Sequence, residues 1–170
     1  MTNAFGNSQT RHKLKDGQAP GAAVLGCADS RVPVESIFDQ SVGDLFVVRT
    51  AGTLYSPCAA GSLDYAVKHL KVKVLILLGH SACGAVKAAQ LEEEDINGET
   101  KPLGDLLLDI KQGLVACKEC TPENAVLVNV REQVAKASAN PLIKEKVAEG
   151  VLHVQGAIYD LATGRVELVE

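Results

Sequence analysis

Residues 72–79 read VKVLILLG, and Lys73 is the one charged residue in that stretch. A strand with one face in water alternates apolar and polar residues, whereas a strand covered on both faces is apolar almost throughout. The run is too short for a typical buried helix, so it is predicted as a central strand of a parallel sheet. Residues 21–27 (GAAVLGC), following Pro20, and residues 45–49 (LFVVR) read as two further strands. Residues 151–159 (VLHVQGAIY) read as a fourth; Asp160 to Gly164 form a turn, and residues 165–169 (RVELV) add an edge strand. Between the strands lie helical patterns. Leu63, Ala66, Val67 and Leu70 follow the i, i+3, i+4, i+7 spacing over residues 60–70. Further helices are predicted from about Gly84 to Leu91 and over 103–116 and 122–138, the last with Thr121 as N-cap and Pro122 in the first helical position. Glu92 to Asp95, with Asn97-Gly98 behind, read as a solvated turn. The expected fold is α/β: a mainly parallel central sheet of about four parallel strands plus an antiparallel edge strand, flanked by helices. There is no internal repeat and no linker, so residues 1–170 are expected to form a single domain with a short N-terminal arm at 1–17.

Composition narrows the function classes. Apolar residues make up 46% of the chain and charged residues 22%, enough to build a core without a disulfide framework. The net charge is −4 and no basic run is present, which argues against a nucleic-acid partner. The longest apolar run, Val74 to Leu78, is far too short to span a bilayer, and Met1 to Gln18 is polar. The expectation is a soluble chain with no membrane partner and no signal peptide. Its five cysteines are an odd number, which argues against a secreted, disulfide-stapled fold. A reducing setting fits better, the cytoplasm or an organellar stroma or matrix, with some thiols serving a metal.

Ligands of parallel α/β sheets bind beyond the carboxyl ends of the strands. The first predicted strand ends at Cys27, inside Cys27-Ala28-Asp29-Ser30-Arg31; the third ends at His80, inside His80-Ser81-Ala82-Cys83-Gly84. Two thiolates and an imidazole suit zinc, and three protein ligands leave the fourth position open, the mark of a catalytic rather than a structural site. The plainer alternative is two packed thiols and a core histidine. Asp29 and Arg31, alongside, weigh against it, since a carboxylate and a guanidinium have no place in a merely apolar corner.

Cys27-x-Asp29-x-Arg31 together with His80-x-x-Cys83 resembles the signature of the β-class carbonic anhydrases. The likeness runs from about Gln18 to Glu170. It includes Gly17-Gln18, Phe46-Val47-Val48-Arg49, Gly61-Ser62-Leu63-Asp64-Tyr65-Ala66-Val67 and the closing Gly156-Ala157-Ile158-Tyr159-Asp160-Leu161-x-Thr163-Gly164. The resemblance implies a carbonate dehydratase, a zinc lyase with one Zn²⁺ per subunit held by Cys27, His80 and Cys83. In that family hydroxide on the zinc attacks carbon dioxide to give bicarbonate and a proton. It implies catalytic roles for Asp29, which orients the hydroxide, and for Arg31, which holds Asp29 off the metal; in a closed form Asp29 becomes the fourth ligand. It also implies substrate contacts from Gln18, Phe46, Ala51 and Tyr65. Ala51 stands where many relatives have valine, and Thr53 where asparagine is usual. Hydrolysis of carbonyl sulfide or carbon disulfide on the same site is the alternative reading.

One variant of the family carries a tryptophan just before the first cysteine, at an inhibitory bicarbonate site. Leu25 and Gly26 precede Cys27 here, and the chain has no Trp, which implies the plant-like, uninhibited type. The family's active site lies at a subunit interface, so a homodimer or a dimer-based tetramer is implied, with Gln18 and Tyr65 acting on a neighbour's zinc. Outside the signature, Cys117-x-x-Cys120 is either a redox pair, half of a metal site or structural, with His153 the only distant candidate ligand. Cys58 is expected to be a packed thiol; His12 and His69 read as surface residues, with proton shuttling as the alternative.

Overall fold

The computed structural model describes residues 8–115, 117 and 120–170. Five strands form one sheet: β1 (Ala22–Cys27), β2 (Leu45–Thr50), β3 (Val74–His80), β4 (His153–Tyr159) and β5 (Val166–Val169). Their order is β2-β1-β3-β4-β5; the first four are parallel, and β5 runs antiparallel to β4. The apolar run that fixed the expectation is β3, third of the five and flanked by β1 and β4.

Eight α-helices surround the sheet: α1 (Ser8–Leu14), α2 (Val34–Ile37), α3 (Pro57–Tyr65), α4 (Gly84–Ala88), α5 (Glu93–Asn97), α6 (Lys101–Gly113), α7 (Pro122–Ala139) and α8 (Pro141–Ala148), counted among the described residues. Ala23 and Leu25 of β1 and Leu75 and Leu77 of β3 pack with Leu63, Ala137 and Ile143 from α3, α7 and α8. Val24, Leu78 and Ala157 pack instead with Val32, Val34 and Leu161. A third cluster joins Cys27 and Cys83 to Val86, Ile96, Leu107, Ile110 and Val126 of the helices from α4 to α7. No helix among the described residues is long and apolar enough to cross a membrane.

Several local expectations are corrected. The acidic run is not a free turn: Glu93, Glu94 and Asp95 form the first turn of α5, and Ile96 is fully buried. Carboxylates at a helix N-terminus complement the exposed N–H groups, and the buried isoleucine anchors the turn. The helix predicted over 60–70 starts at Pro57, capped by the Ser56 side chain. It widens into a π-helical turn at Ala66–Leu70 and stops at Lys71, whose φ is +56°. Helix α8 arises from an Asn140 cap, whose carboxamide accepts from Leu142 N (2.9 Å) and Ile143 N (3.3 Å). In the predicted arm, residues 1–7 lie outside the described residues, and α1 buries none of its side chains.

Candidate metal centre

Strands β1 and β3 are direct parallel neighbours with Gly26 opposite Leu78, so Cys27 and His80 leave the same edge of the sheet side by side. The chain then turns through Ser81 and Ala82, which adopts φ +53°, before α4 begins at Gly84. A left-handed alanine is uncommon, and this one reverses the chain so that Cys83 returns toward His80. The ligand atoms of Cys27, His80 and Cys83 all lie within 4.8 Å of one another, the one such group of three among the described residues. The two sulfurs are 3.9 Å apart. All three residues are at most 5% exposed.

The imidazole leaves this pocket with a donor that could hold a metal. His80 Nδ1 lies 2.9 Å from the Ser81 carbonyl oxygen. An oxygen of that kind only accepts, so Nδ1 carries the proton, and in the neutral ring Nε2 keeps its lone pair. Nε2 is buried and has no hydrogen-bond partner. An orphaned buried polar atom is costly, and a metal ion would satisfy it, with the backbone carbonyl fixing the tautomer from behind. Two thiols plus this nitrogen are a zinc donor set.

The contact between the two sulfurs shifts them in opposite directions. The Cys27 thiol is drawn down to about 4, chiefly by its contact with Cys83 and against the effect of burial, helped by His80 and by the Asp29 and Gly52 backbone N–H groups. The same contact, with burial, drives Cys83 up. Burial opposes charge on His80, but the Cys27 sulfur and the Asp29 carboxylate outweigh it and raise the imidazole's pKa.

Asp29 and Arg31 form the expected forked pair. Arg31 Nε donates to Oδ1 at 2.9 Å, Nη2 to Oδ2 at 2.7 Å, and the Arg31 backbone N–H to Oδ1 at 2.9 Å. These bonds hold the Asp29 carboxyl well below the usual carboxylate range. Oδ2 is also 3.8 Å from His80 Nε2, so the carboxylate stands beside the donor cluster while Arg31 occupies it.

The predicted substrate residues are split. Ala51 follows β2 directly at the edge where Cys27 pairs with Thr50. Phe46 pairs with Ala23, near the start of β1, and its ring is 6.2 Å from that of the half-exposed Tyr65. Gln18 is exposed and precedes β1. At about 3.3 Å per residue, the length of β1 puts the start of that strand roughly 16 Å from Cys27.

Arg49 was not singled out from its sequence context. Its Nε donates to the Cys27 carbonyl at 2.8 Å and its Nη2 to that of Asp29 at 2.6 Å, tying the ligand loop to β2. The residue is visible in the FVVR string, but nothing there tells that its side chain reaches across to β1. Cys117 and Cys120 are joined as a disulfide, and the residues between them lie outside the described set. Contrary to expectation Cys58 is exposed, because it sits in the first turn of α3 on the side away from the core. His12, His69 and His153 are exposed as well.

Comparison with known proteins agrees with this geometry. Residues 22–166 match the family model described as carbonic anhydrase. A carbonic anhydrase of Mycolicibacterium smegmatis is 40% identical over 94% of this chain and 80% of its own length. Among solved structures, a tetrameric β-carbonic anhydrase of Sordaria macrospora superposes with a TM-score of 0.82 at 31% identity, covering 96% of this chain and 87% of that one. The Coccomyxa β-carbonic anhydrase in complex with acetazolamide gives 0.83 at 30% identity, covering 96% and 78%.

Proposed function

From the membership of this chain in the β-carbonic anhydrase family, a family of carbonate dehydratases, we propose that it interconverts carbon dioxide and bicarbonate, with Cys27, His80 and Cys83 holding one zinc ion per subunit. The observation that carries the reading is the buried, unpartnered His80 Nε2 facing two thiols. Zinc bound there supplies Lewis acidity that makes a water molecule a better nucleophile near neutral pH. Two thiolates offset the charge of Zn²⁺, so the protein's own groups must share the work of orienting that water. With zinc bound, Asp29 would accept a hydrogen bond from that water and hold its lone pair toward carbon dioxide. Arg31 keeps Asp29 in that role and out of the fourth ligand position through its two side-chain hydrogen bonds. The absence of Trp, with Leu25 and Gly26 before Cys27, supports the uninhibited, plant-like type. A reducing compartment, cytoplasm or organelle interior, suits the free thiols of Cys27 and Cys83.

Gln18, Phe46 and Tyr65 are assigned to the substrate pocket together with Ala51. With the first three placed toward the other end of β1, their pocket is the partner subunit's, which makes the working unit a homodimer or a dimer of dimers. The tetrameric Sordaria relatives support this assembly. Sedimentation of the zinc-loaded protein should give a dimer or tetramer carrying all of the activity; an active monomer sinks the shared pocket.

Turnover is tested by stopped-flow hydration of carbon dioxide, run beside carbonyl sulfide. The rate with carbon dioxide is expected to exceed the sulfur analogue by orders of magnitude, and acetazolamide to suppress it. The sulfur-substrate alternative has no support among the relatives; faster turnover of carbonyl sulfide would restore it.

A further inference from the structure

The Cys117–Cys120 disulfide lies outside the metal centre, and its setting is not that of a structural staple. A disulfide stabilises a fold chiefly by restricting the unfolded chain, and in that account the gain grows with the loop it closes. Here the cysteines are 3 positions apart, so the bond removes little chain freedom. A metal role lacks support as well: the one group of three possible metal donors among the described residues is Cys27, His80 and Cys83. Cys27 and Cys83 are buried, whereas Cys117 and Cys120 are both half-buried and within reach of solvent.

The pair lines an open cleft of about 300 Å³, between the residues that follow α4 and the link from α6 to α7. Gln90, Lys111 and Val115 line it too, and Val115 is 84% exposed. The Lys111 ammonium donates to the Leu91 carbonyl and has two further protons to offer an anion. The size is at the low end for a small-molecule site. A cation, a carboxamide and an apolar wall around a reachable disulfide suit a small peptide thiol that carries carboxylates. The two sulfurs are not equivalent. Cys120 packs against the apolar cluster that also holds Cys27 and Cys83, which leaves Cys117 the more open to attack. Cys120 also stands directly before Thr121, the N-cap of the 18-residue helix α7. A thiolate released at a helix N-terminus is stabilised by the exposed N–H groups, and a more stable thiolate leaves faster.

We propose that Cys117 and Cys120 form a thiol–disulfide exchange site for a low-molecular-weight thiol of the glutathione class. The small thiolate attacks Cys117 Sγ, the bond between the two cysteines breaks, and Cys120 leaves as a thiolate that takes up a proton. A second small thiolate then attacks the small thiol's own sulfur in the mixed disulfide and releases Cys117. In sum, two small thiols and the protein disulfide give one small disulfide and the protein dithiol. The reverse sequence, driven by the small disulfide, closes the pair. The site stands apart from the zinc reading, since neither cysteine is a donor of that cluster.

The test equilibrates the folded full chain with glutathione at rising ratios of reduced to oxidised form, blocks free thiols by alkylation and reads each cysteine by peptide mass spectrometry. Cys117 and Cys120 are expected to open together across the series, with the circular dichroism of the fold unchanged. Two variants, both in a Cys58→Ser background, examine the order of attack. Cys120→Ser is expected to trap oxidised glutathione on Cys117 about 10-fold or more faster than Cys117→Ser traps it on Cys120, because exchange follows access to the attacked sulfur. A pair that stays closed at every ratio and opens only on unfolding is a structural staple and overturns the proposal, since structural disulfides resist the glutathione pool. A pair that never closes overturns it equally, as does one that opens to a protein dithiol but not to glutathione. Trapping no faster on Cys117 than on Cys120 overturns the choice of Cys117 as the attacked sulfur. Zinc content measured on the same samples reports separately on the metal reading.

Discussion

Replacing Cys83 by alanine is expected to remove zinc and activity together: metal content falls from one per subunit to near zero, and carbon dioxide hydration drops to the uncatalysed rate. Cys83 supplies one of two sulfurs 3.9 Å apart in a buried pocket, and the Sγ of Cys27 and Nε2 of His80 alone do not make a zinc site. Its partner sulfur also loses the contact that does most to draw its pKa down, so Cys27 becomes a poorer ligand at neutral pH. Metal analysis and stopped-flow assay on the same sample check this. Cys117→Ala is the matched control, because it removes a thiol that is bonded to Cys120 rather than to the cluster. It should keep full zinc and full turnover; loss of activity there would shift the chemistry to the Cys117–Cys120 pair.

Asp29→Asn should have the second largest effect, with a different signature. Zinc is retained, because Asp29 is not among the three donors, while turnover falls on the order of 10²-fold or more. The carboxamide keeps the size of the carboxylate but loses the charge that Arg31 binds and the acceptor facing the cluster. Zinc loss in this variant would make Asp29 a ligand first. The pH behaviour follows from the direction of its shift. A carboxyl held below its ordinary range stays ionised at neutral and mildly acidic pH, so Asp29 gives the rate no step between pH 5 and 8. The pair's contribution to stability is complete above the ordinary carboxylate pKa and is lost as pH falls through the depressed one. With Arg31 more than half exposed that contribution is small.

The sheet was legible because burial writes itself into composition: VLILL has no polar residue to offer water, and strands ending in Cys27 and His80 mark one edge. The candidate metal donors were legible for the same reason, since Cys27 and His80 lie at strand ends whose direction the alternation of elements dictates, with Cys83 three residues on. What stayed hidden depends on contacts between distant segments. Asn129 and Gln133 look like ordinary polar positions of an amphipathic helix until α7 is laid against residues 52–55. Cys58 looked like core because thiols usually are, but the Ser56 cap fixes where α3 starts and turns that position outward. Asn140-Pro141 was a helix start in plain view, an N-cap followed by proline in the first turn, set immediately behind a helix that left no loop between them.

The adjacency of β1 and β3 also has a meaning for how the protein is made. Cys83 follows Cys27 by 56 residues. At the usual pace of synthesis, about 5–20 residues per second, the first sulfur waits roughly 3–11 seconds for the second. Until β3 has docked against β1 the nascent chain therefore holds the thiols of Cys27 and Cys58 but not the three-donor cluster, so a metal held by Cys27, His80 and Cys83 would be captured only once the centre of the sheet has closed.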